Sequence, residues 1–261
     1  MEVVTLASGS SGNSILITAG STHVLVDCGI SCRRIGEGLK GLGLSPADLA
    51  AVFITHEHSD HIAGLCTLTK RFALPVYTSP GTALELRRRM VFPMDILREV
   101  SPGERVKIGD AQICPFATSH DAAQPMGYSV TDGYRRAAVV TDLGYVSGEV
   151  LAGVLGAELV VCEANHDEDW LLSGPYPYYL KRRILGDQGH LCNEAGGELA
   201  RKCVENGAKT VILAHLSAEN NTPARARDVV GRSLRDGGID PEGDVTLTVA
   251  PRGEPSRVFE V

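Results

Sequence analysis

Residues 51–61, AVFITHEHSDH, join an apolar run to His56, His58, Asp60 and His61, four potential metal ligands within six residues. The run has the length and composition of a strand buried on both faces. On a helix, positions 56 and 58 would point about 200° apart and could not address one ion. In a loop leaving a strand end they can, so the motif calls for a sheet whose strand ends open onto a polar cleft. A solvated turn is the plain alternative for any pair of histidines, but it does not account for the complete string after such a strand.

Three more candidates follow apolar β-like runs: His120 after ICPFATS, Asp142 after AAVVT and His215 after KTVILA. Imidazoles together with carboxylates suit zinc or another divalent first-row ion, whereas magnesium or calcium would favour an almost all-oxygen shell.

Period-two patterns and turn residues predict strands at 3–7, 14–18, 22–26, 51–55, 75–78, 105–108, 112–118, 127–131, 137–141, 159–162, 210–214, 244–248 and 257–259. Helical stretches are expected at 32–42, 62–71, 82–89, 178–185 and 194–205, with another opening at Thr222-Pro223 and a short turn at Ser45-Pro46. Strands and helices alternate in two β-rich α/β halves meeting near residue 140, with no linker long or polar enough to divide the chain. With 261 residues and 43% hydrophobic content, one domain spanning 1–261 is the expectation.

A formal net charge of -7 argues against a protein that coats nucleic acid with its whole surface, while leaving room for local phosphate contacts. Seven cysteines without a CxxC pair, no basic leader and no run of eighteen apolar residues point to a cytoplasmic protein without membrane association. The sequence names no protein partner.

These residues resemble the metallo-β-lactamase superfamily, whose hallmark is HxHxDH followed by separated His, Asp and His ligands. The resemblance spans Asp27 to His215 and implies a four-layer αββα sandwich with two central mixed sheets. It also implies two divalent ions, Zn2+ or Mn2+. His56, His58 and His120 would hold one ion, Asp60, His61 and His215 the other, and Asp142 would bridge them. Asp27, closing the strand THVLVD, would orient the motif loop rather than bind metal. Asp60 and Asp142 are the expected catalytic carboxylates. Asp142, where many true β-lactamases carry cysteine, points away from antibiotic hydrolysis.

The stretches ASGSSGNS, EANHDEDWL, GPYPYYLKRRI, GHLCN and HLSAENN are similar to the YycJ/WalJ-like branch, small proteins regarded as 5′ to 3′ DNA exonucleases. That branch implies phosphodiester cleavage by a metal-bound hydroxide on DNA with a 5′ phosphate. Ser10, Asn13, His166, His190, Ser217 and Asn220 are the candidate substrate contacts, with turn formation and capping as their plain alternatives. Tyr176, Tyr178 and Tyr179 beside Lys181, Arg182 and Arg183 combine aromatic and cationic groups suited to nucleic acid, or form an ordinary solvated face. Arg87, Arg88 and Arg89 read mainly as helix termination and surface charge. The remaining alternatives are a small-molecule phosphodiesterase or thioester/lactone hydrolase, and a metal-bound regulatory interaction protein.

Overall fold

The computed structural model describes residues 1–91 and 95–261. Its first sheet contains β1 (Glu2–Ala7), β2 (Ser14–Ala19), β3 (Thr22–Val26), β4 (Leu49–Phe53), β5 (Val76–Thr78) and β6 (Leu97–Glu99) in that spatial order. Its second runs from β7 (Val106–Ile108) through β8 (Ala111–Ala117), β9 (Met126–Thr131), β10 (Arg136–Val140), β11 (Leu159–Glu163) and β12 (Thr210–Ala214) to β13 (Thr246–Val249). The last strand, β14 (Phe259–Glu260), returns to pair with β1. Each sheet is mixed. β1 to β3 and β7 to β10 are antiparallel hairpin runs, while β3 to β6 and β10 to β13 are parallel.

Strand periodicity explains why the sheets stack. Val24, Val26, Ala51 and Phe53 enter the same apolar cluster as Val139, Val161 and Ile212, which is the layer between the sheets. Their alternate neighbours Leu25 and Val52 pack with Ile35, Leu39, Leu65, Leu68 and Leu86, which belong to α1 (Cys32–Gly41), α3 (Leu65–Phe72) and α4 (Pro80–Arg89). On the second sheet Ala138, Val140, Val160, Cys162, Val211 and Leu213 face outward. They meet Val150, Leu199 and Val230 of α5 (Gly148–Val154), α8 (Asn193–Glu205) and α9 (Pro223–Asp236). Successive strand residues point to opposite faces, so strands apolar on both sides produce three cores and four layers, helix–sheet–sheet–helix.

Some elements differ from the sequence expectation. The helix expected over 62–71 is two pieces, α2 (Ser59–Ile62) and α3, interrupted at Ala63-Gly64. Gly64 donates its N–H to the Cys28 carbonyl at 2.8 Å, and a Cβ there would overlap the Ile30 carbonyl. The strand expected to reach Thr55 stops at Phe53, because the Thr55 N–H turns to the Asp27 carboxylate at 2.8 Å. Three short elements escaped the pattern: β6, α5 and α6 (Glu168–Ser173). The two halves divide between β6 and β7, not near residue 140, since β7 to β9 zip onto β10 as antiparallel hairpins and so belong to the second sheet.

Gly29 lies directly beneath the motif loop, where a Cβ would overlap the Asp60 carbonyl. Gly29→Ala is therefore expected to destabilise the chain by about 1–3 kcal/mol, the usual range for overpacking. Urea unfolding measures this. A midpoint equal to that of the unaltered protein would mean that the loop has room to spare.

Candidate metal centre

The site lies where β3, β4, β10, β11 and β12 end. Asp27, Asp142 and His215, one or two residues past β3, β10 and β12, all adopt left-handed backbone, with φ of 62°, 60° and 56°. Such conformations are uncommon outside glycine, cost roughly 1–3 kcal/mol each, and gather at functional sites. They end the extended runs abruptly, and the three side chains are buried together. Beyond β4 the chain bends at Thr55, passes through His56 and His58, then coils into α2, which carries Asp60 and His61.

Ligand atoms of His56, His58 and His120 lie within 4.8 Å of one another; the same is true of Asp60, His61 and His215, and of His56, His61 and Asp142. Asp142 faces both triads: Oδ2 is 3.3 Å from His61 Nε2, and Oδ1 is 3.7 Å from His120 Nε2.

The rings are oriented from behind. His61 Nδ1 donates to Asp27 Oδ2 at 2.7 Å, and His120 Nδ1 to the Gly189 carbonyl at 3.0 Å. His215 Nδ1 donates to Glu163 Oε1 at 2.8 Å, while His58 Nε2 donates to the Asp121 carbonyl at 3.2 Å. The Thr55 hydroxyl gives its proton to Asp27 and so accepts from His56 Nδ1 at 3.0 Å. Burial works to lower His61 and His215, yet Asp27 and Asp142 raise the first, and Asp142, Asp60 and Glu163 raise the second to about 10. These two rings therefore free their second nitrogen only on giving up a proton, as a bound cation would make them do. In a neutral ring that nitrogen is a lone pair, the form that binds a cation.

The residues present fit divalent ions. His56 Nε2 and Asp142 Oδ2 are buried without a hydrogen-bond partner, an arrangement that is costly unless something else satisfies them. His58 Nδ1 and His120 Nε2 face each other at 3.3 Å. Burial pushes the His56 and His120 rings below their ordinary value, keeping them neutral. Burial works to raise the Asp142 carboxyl, yet His215 and His61 beside it hold it well below the usual range. Asp60 is lowered in the same way by His215 and His61.

The motif is bolted to its surroundings by further polar side chains. Glu57 accepts from the Ala123 N–H at 2.8 Å and from the Thr82 hydroxyl at 3.1 Å. Asn13, a candidate substrate contact, is only 4% exposed; its N–H donates to the Asp60 carbonyl at 2.8 Å, and its amide nitrogen lies 3.1 Å from His61 Nε2. Ser217 and Asn220 are buried as well, with the Asn220 N–H on the Ser217 hydroxyl at 3.2 Å. These three residues engage the loops in the positions where the sequence suggested substrate. His166 is 1% exposed, and burial lowers its ring to about 4. Among the six candidate contacts Ser10 is exposed and His190 half-buried.

Glu163 was not singled out in the sequence. It is fully buried at the end of β11, with Oε1 3.0 Å from His190 Nδ1 and Oε2 accepting from the Leu191 N–H at 3.0 Å. Burial alone would raise its carboxyl, but His190 and His215 hold it down at about 2. The one available signal was a glutamate closing a strand, LVVCE, that is otherwise apolar.

A family model described as the beta-lactamase superfamily domain matches residues 22–216. Exodeoxyribonuclease YycJ of Bacillus anthracis is 38% identical over 90% of this chain and 89% of its own length. Exodeoxyribonuclease WalJ of Streptococcus pneumoniae is 37% identical over 83% and 81%. The crystal structure of the metallo-beta-lactamase fold protein YhfI from Bacillus subtilis superposes with a TM-score of 0.73 at 20% identity, covering 100% of this chain and 98% of that one. The sheet order, the His/Asp clusters and these matches agree: the chain belongs to the metallo-β-lactamase superfamily, in its YycJ/WalJ-like branch, and is a metal-dependent hydrolase.

Proposed function

We propose that the chain is a 5′ to 3′ DNA exonuclease using two divalent ions, Zn2+ or Mn2+. The observation that carries this reading is the pair of triads meeting at Asp142, in a chain matched over 83–90% of its length, at 37–38% identity, by relatives named exodeoxyribonucleases. His56, His58 and His120 would hold one ion and Asp60, His61 and His215 the second, with Asp142 available to both. Bound there, the ions would supply an activated water and neutralise charge on the phosphoryl oxygens. Asp27 and Glu163 keep His61 and His215 in the ligating tautomer. Asp60, kept ionised by its histidine neighbours, is the carboxylate proposed to orient the attacking water or take its proton.

His190 completes the set. With Nδ1 fixed by Glu163 and a side chain still 14% exposed, it presents Nε2 to substrate. With Nδ1–H on Glu163, the imidazolium form of His190 carries a second proton on Nε2. As the P–O3′ bond breaks that proton would pass to the departing 3′ oxygen, leaving the neutral ring with Nδ1–H on Glu163. Ser10, exposed on the loop after β1, is the remaining polar contact proposed for the strand. A cytoplasmic location agrees with seven unpaired cysteines, and no described helix is long and apolar enough to cross a membrane.

The test is cleavage of 5′-phosphorylated, 3′-labelled DNA, single-stranded and duplex, after chelation and separate readdition of Mn2+ or Zn2+, beside bis-(p-nitrophenyl) phosphate. A metal-dependent ladder growing from the 5′ end is expected. Turnover of the small diester alone would keep the hydrolase and discard the DNA substrate.

A further inference from the structure

The segment between β11 and α8 projects as a helical arm, α6 followed by α7 (Tyr178–Ile184). Its base is fixed. Lys181 Nζ donates to the Leu172 and Gly174 carbonyls at 2.6 and 2.7 Å, so this cation is consumed in tying the two helices together. Arg183 clamps Asp121 through Nε and Nη2 at 2.5 and 3.0 Å. Asp121 Oδ1 in turn lies 3.4 Å from His120 Nε2, so the arm's far end is latched one residue from the metal triad.

What remains outward is specific. Helical spacing puts Tyr178 and Arg182 on one face and Tyr179 and Arg183 on the next, each pair about 6 Å apart along the axis. Tyr178 is 76% and Tyr179 74% exposed, an unusual state for two adjacent aromatic rings. The Arg182 guanidinium lies 6.0 Å from the Tyr178 ring centre and makes no ion pair among the described residues. At the C-terminal end of α7 a cavity of about 530 Å3 lies against Asp121, Arg182 and Arg183. It shares Asp187 and Gln188 with a larger one of about 930 Å3 that passes His120 and reaches Tyr145. A continuous trough thus leads from the arm past a proposed metal ligand.

We infer that the arm is the binding platform for single-stranded DNA, with bases stacked on Tyr178 and Tyr179, a phosphate on Arg182, and the Arg183–Asp121 latch holding the platform in line with the metal centre. This rests on the exonuclease reading. Aromatic faces accept any base and an adjacent cation takes the backbone, a pairing suited to strand binding without sequence preference. Asp187, which lines both cavities, repels phosphate, so the backbone runs along Arg182.

The experiment uses the metal-loaded protein and a short, phosphorothioate-linked, 5′-phosphorylated strand carrying a 3′ fluorophore, which resists cleavage and reports binding by anisotropy. Tyr178→Ala with Tyr179→Ala is expected to weaken binding roughly tenfold or more, and to raise KM on the cleavable strand in parallel. Turnover of bis-(p-nitrophenyl) phosphate stays unchanged. Tyr178→Phe with Tyr179→Phe keeps the ring faces and retains binding, and Arg182→Gln lowers the salt slope by about one. Unchanged affinity and KM in the alanine variant, with the strand still cleaved, overturn the platform; so does a phenylalanine variant as weak as the alanine one. If the unaltered protein turns over the diester and no DNA at all, the exonuclease reading itself fails, an outcome that needs no arm variant to recognise.

Discussion

Asp142→Asn is expected to leave the fold intact and to lower turnover about a thousandfold, since on the proposed two-ion reading a carboxylate shared by both ions would contribute several kcal/mol of charge stabilisation. Asparagine has nearly the same shape and tolerates the left-handed backbone at φ 60°, so the substitution removes charge without demanding a new turn. The two carboxylate oxygens do different work. Oδ2 faces His61 Nε2 at 3.3 Å, and Oδ1 faces His215 Nδ1 at 3.4 Å and His120 Nε2 at 3.7 Å. An amide puts an N–H donor where one of those oxygens should accept a cation.

The measurement is metal content by elemental analysis alongside turnover on the 3′-labelled strand. The unaltered protein should carry two ions and the variant at most one. A variant with full metal content and activity within a few-fold of the unaltered chain would end the bridging role, while leaving the two triads to be tested separately.

The dense part of this site was legible because chemistry and local structure coincide in it. HEHSDH follows a strand without an intervening turn, and His120, Asp142 and His215 each follow a run that forms an observed strand. What could not be read is the support behind them. Glu163 closes a fully buried strand, and in sequence a glutamate there is indistinguishable from a polar residue emerging into solvent. The role of Asn13 depends on the Asp60 carbonyl, 47 residues away, a contact that no local pattern encodes. The short elements failed for a related reason. Three residues of β6 and the glycine-flanked turns of α5 carry too little periodicity to stand out, and packing fixes them instead. The left-handed backbone at Asp27, Asp142 and His215 is equally hidden, because Asp and His, though enriched at positive φ, adopt it too rarely for the residue type alone to mark these positions.

His190→Ala should lower turnover on DNA by about 10² to 10⁴-fold, the usual range for a positioned general acid, yet spare bis-(p-nitrophenyl) phosphate to within about tenfold. The contrast follows from the leaving groups. A departing 3′ alkoxide is strongly basic and needs a proton as the P–O bond breaks, whereas p-nitrophenolate departs unaided. Glu163→Gln tests the other half of the pair, since its carboxylate touches His190 Nδ1 at 3.0 Å and His215 Nδ1 at 2.8 Å. Through His215 it should also weaken metal binding about 10- to 100-fold, so the comparison is made at saturating metal. There the double variant is expected to be little worse than His190→Ala alone, because residues acting as one unit are not additive. Equal losses on both substrates would assign His190 to binding or metal support. A double variant showing the product of the two single losses would mean that Glu163 acts independently of His190.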